Sequence, residues 1–161
     1  MRFRKFGEFF PEEAIRTMVP LWIDPPRQRL PVKAYWLLEY YCDEPGCDCR
    51  TVILDVVSTE HRHRAFASIK FGWETPAFYR QWAGTRDLGG SGPLRRGVLD
   101  PSALNCDWAD ALLRHVRKEV FSDPKAVRRF TKHYEMVKKH QRKKARADAR
   151  GKQPGPGTGF P

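Results

Sequence analysis

VKAYWLLEYYCDEPGCDCRTVILDVVS, residues 32–58, decides the fold. Its first part alternates: Trp36, Leu38 and Tyr40 share one side of an extended chain, and Tyr35, Leu37 and Tyr41 share the other, interrupted by Glu39. Successive side chains of a strand point to opposite faces, so both faces of Val32 to Cys42 are largely apolar and a strand covered on both sides is expected. Asp43-Glu-Pro-Gly46 is turn chemistry. A second strand follows from Arg50 to Ser58, with Val52, Leu54 and Val56 on one face and Ile53 and Val57 on the other.

The alternation continues outward. Ala65, Ala67, Ile69, Phe71 and Trp73 interleave with Arg64, Ser68 and Lys70, a half-buried third strand. Short connections between successive strands favour an antiparallel meander. Before the meander, Pro11, Glu12 and Glu13 open a short helix that Pro20 stops, and Leu21-Trp22-Ile23 reads as a short strand. After it, Thr75-Pro76 is a cap followed by proline at the first helical position, predicting a helix to about Ala83. Residues 84–97 read as a loop. A helix is expected to start at Asp100-Pro101 or Asn105 and run to about Phe121, where Ser122-Asp-Pro124 stops and restarts the chain. The last helix carries Val127, Phe130, Tyr134 and Val137 as one apolar stripe, fading beyond Lys138. The expected fold is therefore α+β: a small antiparallel sheet of three or four strands, C-terminal helices on one face, and a zinc-clipped hairpin. Residues 1–122 would form the body, 123–146 a basic helix docked at its start, and 147–161 a disordered Gly/Pro tail.

The chain has 161 residues, 30 Lys and Arg against 19 Asp and Glu, and a formal charge of +11. Residues 125–161 hold 12 of the basic side chains and only Glu135 and Asp148, a net +10, which leaves +1 on the rest. Electrostatic attraction to a polyanion is thus a property of the C-terminal segment, not of the body. Lys138, Lys139, Arg142, Lys143, Lys144 and Arg146 are the candidate anion-binding groups. They could meet a nucleic acid, with steep salt dependence, or an acidic protein. No aromatic residue is interleaved between Tyr134 and Phe160, so stacking by this segment is not expected. No apolar stretch reaches the roughly 18 residues of a membrane span. The basic N-terminus lacks the apolar centre of a signal peptide. The expectation is a soluble, cytoplasmic protein.

Cys42, Cys47 and Cys49 form C-x4-C-x-C at the hairpin, and Cys106 is the fourth cysteine of the chain. Thiolates on a tight turn can converge on one cation, and zinc takes such ligands at about 2.3 Å in a tetrahedron. A structural zinc held by Cys42, Cys47, Cys49 and Cys106 would use every cysteine, with Arg50 placed to offset the negative charge and hydrogen-bond a sulfur. Water in place of Cys106 would make the site open, as in a metal-dependent hydrolase, with Asp43, Glu44 or Asp48 as a nearby base. Disulfides are disfavoured in a cytoplasmic chain, and C-x-C geometry is poor for a bridge between its own members. His61 and His63 lie about 25–30 Å from Cys49 along an extended strand, too far to complete the site. Gly89-Gly-Ser-Gly92 lacks the Gly-Lys-Ser/Thr ending of a phosphate loop. His115, His133 and His140 read as helix-surface residues.

The stretch Tyr40-Tyr-Cys-Asp-Glu-Pro-Gly-Cys-Asp-Cys-Arg50, followed by an apolar strand, resembles a segment of uncharacterised bacterial proteins that carry a Y-C-x4-C-x-C-R motif. Leu99-Asp-Pro101 and His133-Tyr134 with Lys138 are similar to the rest of that pattern, over about residues 32–140. The resemblance implies a cysteine site of metal type and supplies no activity. The expected function is a zinc-stabilised, non-enzymatic binding module with an anionic partner on its basic C-terminal helix. The alternatives are the open-site hydrolase and a protein–protein adaptor.

Overall fold

A computed structural model of the chain describes residues 2–18, 20–23, 33–58, 60, 64–84 and 93–151. The expected meander forms its centre. Strand β3 (Lys33–Cys42) pairs antiparallel with β4 (Thr51–Ser58), and β4 with β5 (Ala65–Gly72). Tyr41 lies opposite Val52, Leu37 opposite Val56 and Leu54 opposite Ile69. Two N-terminal strands share the free edge of β3: β1 (Phe3–Lys5) beside Tyr40 to Cys42, and β2 (Pro20–Ile23) beside Lys33 to Trp36. On the opposite edge β6 (Val98–Leu99) pairs with β5. Among the described residues the sheet thus has six strands where three or four were expected. β1 and β6 span three and two residues, too short for alternation to reveal them.

One face of the sheet is the core. Tyr35, Leu37, Tyr41, Val52, Leu54, Val56, Ala67, Ile69 and Phe71 are buried there. Helices α1 (Phe6–Phe9) and α2 (Pro11–Thr17), helix α4 (Ala109–Val116) and helix α5 (Pro124–Gly151) are on this side. Phe71 stacks on Phe121 at 4.1 Å and meets Phe130 edge-on at 6.1 Å. The other face is partly covered: Trp36, Leu38, Tyr40 and Ile53 are half-buried there and Val57 and Ser68 are buried, so the expectation of cover on both sides is met in part. Apolar residues on both faces of one strand report composition, and only the placement of the helices decides which face is closed.

Helix α3 (Pro76–Ala83) begins as expected, with the Thr75 hydroxyl accepting from the Phe78 amide at 3.2 Å. Helix α4 begins later than expected. The Asp100 amide donates to Ser68 O and the Cys106 amide to Phe66 O, at 2.8 and 2.9 Å, so this segment runs along the edge of β5 before turning helical. Asn105, a helix cap by its residue type, instead accepts from the Ser68 amide at 2.9 Å. After α4 the helix widens into a π-turn over Arg117–Phe121. Gly97 sits against this turn with φ +77, and a Cβ there would lie 2.3 Å from the Phe121 ring. Gly97→Ala is expected to cost about 2–4 kcal/mol in urea denaturation, since it combines a left-handed backbone with overpacking. A cost below about 1 kcal/mol would mean that Phe121 swings aside freely.

Helix α5 does not fade beyond Lys138 but runs 28 residues to Gly151, about 42 Å. Residues 147–151, expected to be disordered, are therefore helical; the remainder of that expected tail, 152–161, lies outside the described residues. The first half of the helix belongs to the core through Phe130, Tyr134 and Val137. Among the described residues, no helix is long and apolar enough to cross a membrane.

Candidate metal centre

β3 ends at Cys42 and β4 starts at Thr51, so residues 43–50 must reverse the chain. Gly46 (φ +74) makes the turn, closed by the Cys47 amide donating to Glu44 O at 3.2 Å. Arg50 takes a left-handed conformation (φ 45), unusual for a residue with a Cβ, as the loop re-enters the sheet. The outcome is that the sulfurs of Cys42, Cys47 and Cys49 all lie within 4.8 Å of one another. Four thiolates at 2.3 Å around a tetrahedral zinc would be about 3.8 Å apart, so a small contraction brings these three onto one cation. Cys42 and Cys49 are fully buried and Cys47 is half-buried.

The thiols interact strongly. The Cys42 thiol is pulled down to about 5, chiefly because the Cys49 thiol donates to it, with help from the Glu44 amide, Cys47 and the positive charge of Lys138. The same hydrogen bond pushes Cys49 up, and burial raises Cys47. The protonation of each thiol thus depends on the other two. A cation in the cluster would displace the thiol protons and satisfy all three sulfurs.

Arg50 does not hydrogen-bond a sulfur. Its guanidinium grips Asp48 at 2.9 Å and Glu74 at 3.0 Å and lies 4.7 Å from the centre of the Phe78 ring. Two carboxylates give stronger charge-assisted bonds than a sulfur can. Cys49 Sγ instead accepts from Thr51, whose hydroxyl lies 3.3 Å away. Asp48 also accepts from the Tyr134 hydroxyl at 2.9 Å, and its carboxyl is held below the usual range by Arg50 first and Tyr134 after. Asp43 is partly buried, which raises its pKa, but bonds from Gln141 and Arg2 outweigh this and hold it low. Both carboxylates are therefore already engaged.

The structure does not bring Cys106 to the cluster. Its amide is bound to Phe66, near the start of β5, whereas Thr51 beside the cluster pairs with Gly72 at the other end. The intervening strand is about 20 Å long. The expected fourth ligand is thereby corrected: the chain runs along β5 at Cys106 instead of swinging a helix terminus toward the hairpin. His61, His63 and Gly89 to Gly92 lie outside the described residues.

The hairpin is tied instead to α5. Tyr134, Lys138 and Gln141 share one side of the helix. Lys138 Nζ and Gln141 Nε2 donate to Cys42 O at 3.1 and 3.0 Å, and Gln141 also reaches Asp43 at 3.1 Å. Lys138, expected to bind an external anion, is thus half-buried and occupied. Lys139, Arg142, Lys143, Lys144 and Arg146 are exposed. None of them has a carboxylate partner among the described residues.

A second polar centre was not foreseen. Glu39, an interruption in an apolar face by sequence, points into the core and is 9% exposed in its side chain. It accepts from the Tyr41 hydroxyl at 2.7 Å and from Arg129 Nε at 3.2 Å, and lies 2.6 Å from His133 Nδ1. His133, expected on a helix surface, is fully buried and stacked on Phe6 at 4.1 Å. His115 lies 3.1 Å from Trp22 O, and His140 meets the rings of Phe9 and Phe10. A glutamate at a core-facing position of a strand and a histidine beside the apolar stripe of α5 were the available signals; their pairing, 94 residues apart, was not in the local pattern.

No protein-family model, curated protein or solved structure matches this chain.

Proposed function

We propose that the protein is a non-enzymatic binding module in which a zinc ion on Cys42, Cys47 and Cys49 secures the hairpin to α5, and in which the distal part of α5 engages nucleic acid. The observation that carries this reading is the end of the helix. After Gln141, residues 142–149 are exposed all round and contain Arg142, Lys143, Lys144 and Arg146 against Asp148 alone. A helix that is polar on every side is accounted for by solvent or by a partner, and a row of unpaired cations suits phosphates. Tyr134, Lys138 and Gln141 connect that helix to the cysteine loop, so metal binding and helix placement are linked.

A gel shift over a salt series tests it, comparing the full chain with one ending at Gln141. The full chain is expected to lose affinity with a log–log slope of about −3 to −4, as for four phosphates neutralised, and the shortened chain to bind weakly with a flatter slope. Equal binding by both chains, or none by either, would refute the role of the helix. An acidic protein is the competing partner, and a pull-down that survives nuclease treatment would favour it.

A second reading rests on the convergence of three cysteines instead of four. A metal held by three protein ligands has a fourth position for water, the arrangement of hydrolytic zinc. Asp43 and Asp48, two of the three candidate bases, are engaged by cations and other donors, and the third, Glu44, is exposed to solvent, which favours the binding module.

A further inference from the structure

The second, partly covered face of the sheet carries a hollow with no role in the metal centre. Its floor is formed by Tyr40, Ile53 and Asp55, with Phe3 on the β1 side and Arg64 and Leu104 on the other, around a volume of about 610 Å³. Sites for small organic groups run to about 300–1,000 Å³. Helices α1, α2, α4 and α5 pack on the opposite face, and α3 sits at the cysteine end, where the Tyr79 hydroxyl donates to Arg50 O at 2.8 Å. Leu104 lines the hollow and is 97% exposed, an apolar side chain left in water.

We infer that this hollow seats an unpaired base of a single-stranded nucleic acid, stacked on Tyr40 and Phe3 beside Leu104. The inference rests on the nucleic-acid reading above and adds the form of strand that is recognised. Two aromatic rings supply the π-surface on which any base can stack. Tyr40 is half-buried beside Asp55, and burial first and that carboxylate second push its hydroxyl pKa up to about 12, so the ring stays neutral. Cations surround the rings. Lys5 pairs with Tyr40 across β1 and β3, Arg64 lines the wall, and Lys70 Nζ sits over the Phe3 ring, 5.8 Å from its centre, so a base stacking on that face displaces the ammonium toward a phosphate. The facing acids are Asp55 and Asp100, and Asp100 is already bonded to the Ser102 amide and hydroxyl at 2.9 and 2.7 Å. Phosphates flanking a seated base would meet Lys5, Lys70 and Arg64. A duplex, whose bases are stacked on one another, has no free face to offer, so the hollow discriminates by strand form while the α5 cations do not.

The test uses the full chain and three fluorescein-labelled probes in anisotropy titrations: 12-mers of oligo(dT) and oligo(U), and a 12-base-pair DNA duplex. Tyr40→Ala and Leu104→Ser are each expected to weaken binding of the single strands about tenfold and leave the duplex unchanged. Tyr40→Phe, which keeps the ring, should bind single strands as the parent does. Leu104 buries almost nothing, so its replacement does not threaten folding. Loss confined to oligo(dT) or to oligo(U) would support the site and say which backbone it takes. Single-strand binding unchanged in both Tyr40→Ala and Leu104→Ser would overturn the inference, as would equal weakening on single strands and duplex. The reading of α5 is tested separately by Lys143→Glu with Lys144→Glu, which should weaken all three probes. If that double variant binds every probe normally while Tyr40→Ala loses the single strands, the hollow stands and the helix reading fails.

Discussion

Cys49→Ser is expected to release the metal from the protein and to lower its melting temperature by about 10 °C, whereas Cys106→Ser should change neither. A ligand that binds only the folded chain stabilises it by about 4 kcal/mol when present at 1,000 times its Kd. In a chain of this size each kcal/mol moves the melting temperature by about 2–4 °C. Cys49 is fully buried in the cluster, with its sulfur within 4.8 Å of those of Cys42 and Cys47 and accepting from the Thr51 hydroxyl, so its loss removes a ligand and a packed member of the trio. Cys106 is at the far end of β5 and contributes nothing to the site. Elemental analysis and calorimetry read both effects, and a chelator separates metal from packing. It should lower the melting temperature of the parent and of Cys106→Ser, and leave that of Cys49→Ser unchanged. A Cys49→Ser protein that keeps its zinc, or a Cys106→Ser protein that loses it, would refute the three-thiolate centre.

Glu39→Ala should cost about 3–5 kcal/mol, because it strands the Arg129 guanidinium and leaves the Tyr41 hydroxyl and the His133 ring without their shared acceptor. The penalty arises mostly from the groups left behind. Glu39→Leu combined with Arg129→Met is therefore expected to be less damaging than Glu39→Ala alone, since it removes both members of a charge pair whose side chains are only 9% and 18% exposed. Urea denaturation of the set reads the difference. A Glu39→Ala cost under about 1 kcal/mol would mean that water enters and satisfies the network. The network joins β3 to α5 at the end of the helix interface away from Gln141, and so it holds the helix while the cysteine loop aligns it.

How much of this was legible follows from the distance over which each signal acts. The C-x4-C-x-C trio could be read because its three sulfurs belong to one reversing loop, where Pro45 and Gly46 leave the chain few paths. The Thr75 cap and the Ser122-Asp-Pro124 break were legible for the same reason, as contacts between residues within a few positions. Asn105 misled because its side chain caps a strand amide across 37 residues instead of a helix beside it. Arg50 misled because Glu74, 24 residues away, shares it with Asp48. Lys138 looked like one more cation of a basic run, yet it is spent on the carbonyl of Cys42, 96 residues away.

The amino-acid sequence by itself determined the antiparallel meander, the helix that follows it, the cysteine trio and the concentration of positive charge at the C-terminus. Each is written in side-chain alternation, turn residues or local composition, and these act over a few neighbouring positions. The tertiary structure alone decided that Cys106 stands apart, that Glu39 and His133 meet in the core, that α5 keeps its helical form past its last contact, and that the helices close one face of the sheet more completely than the other among the described residues. Those outcomes depend on which surfaces the helices cover, and that is settled by packing between segments far apart in the chain.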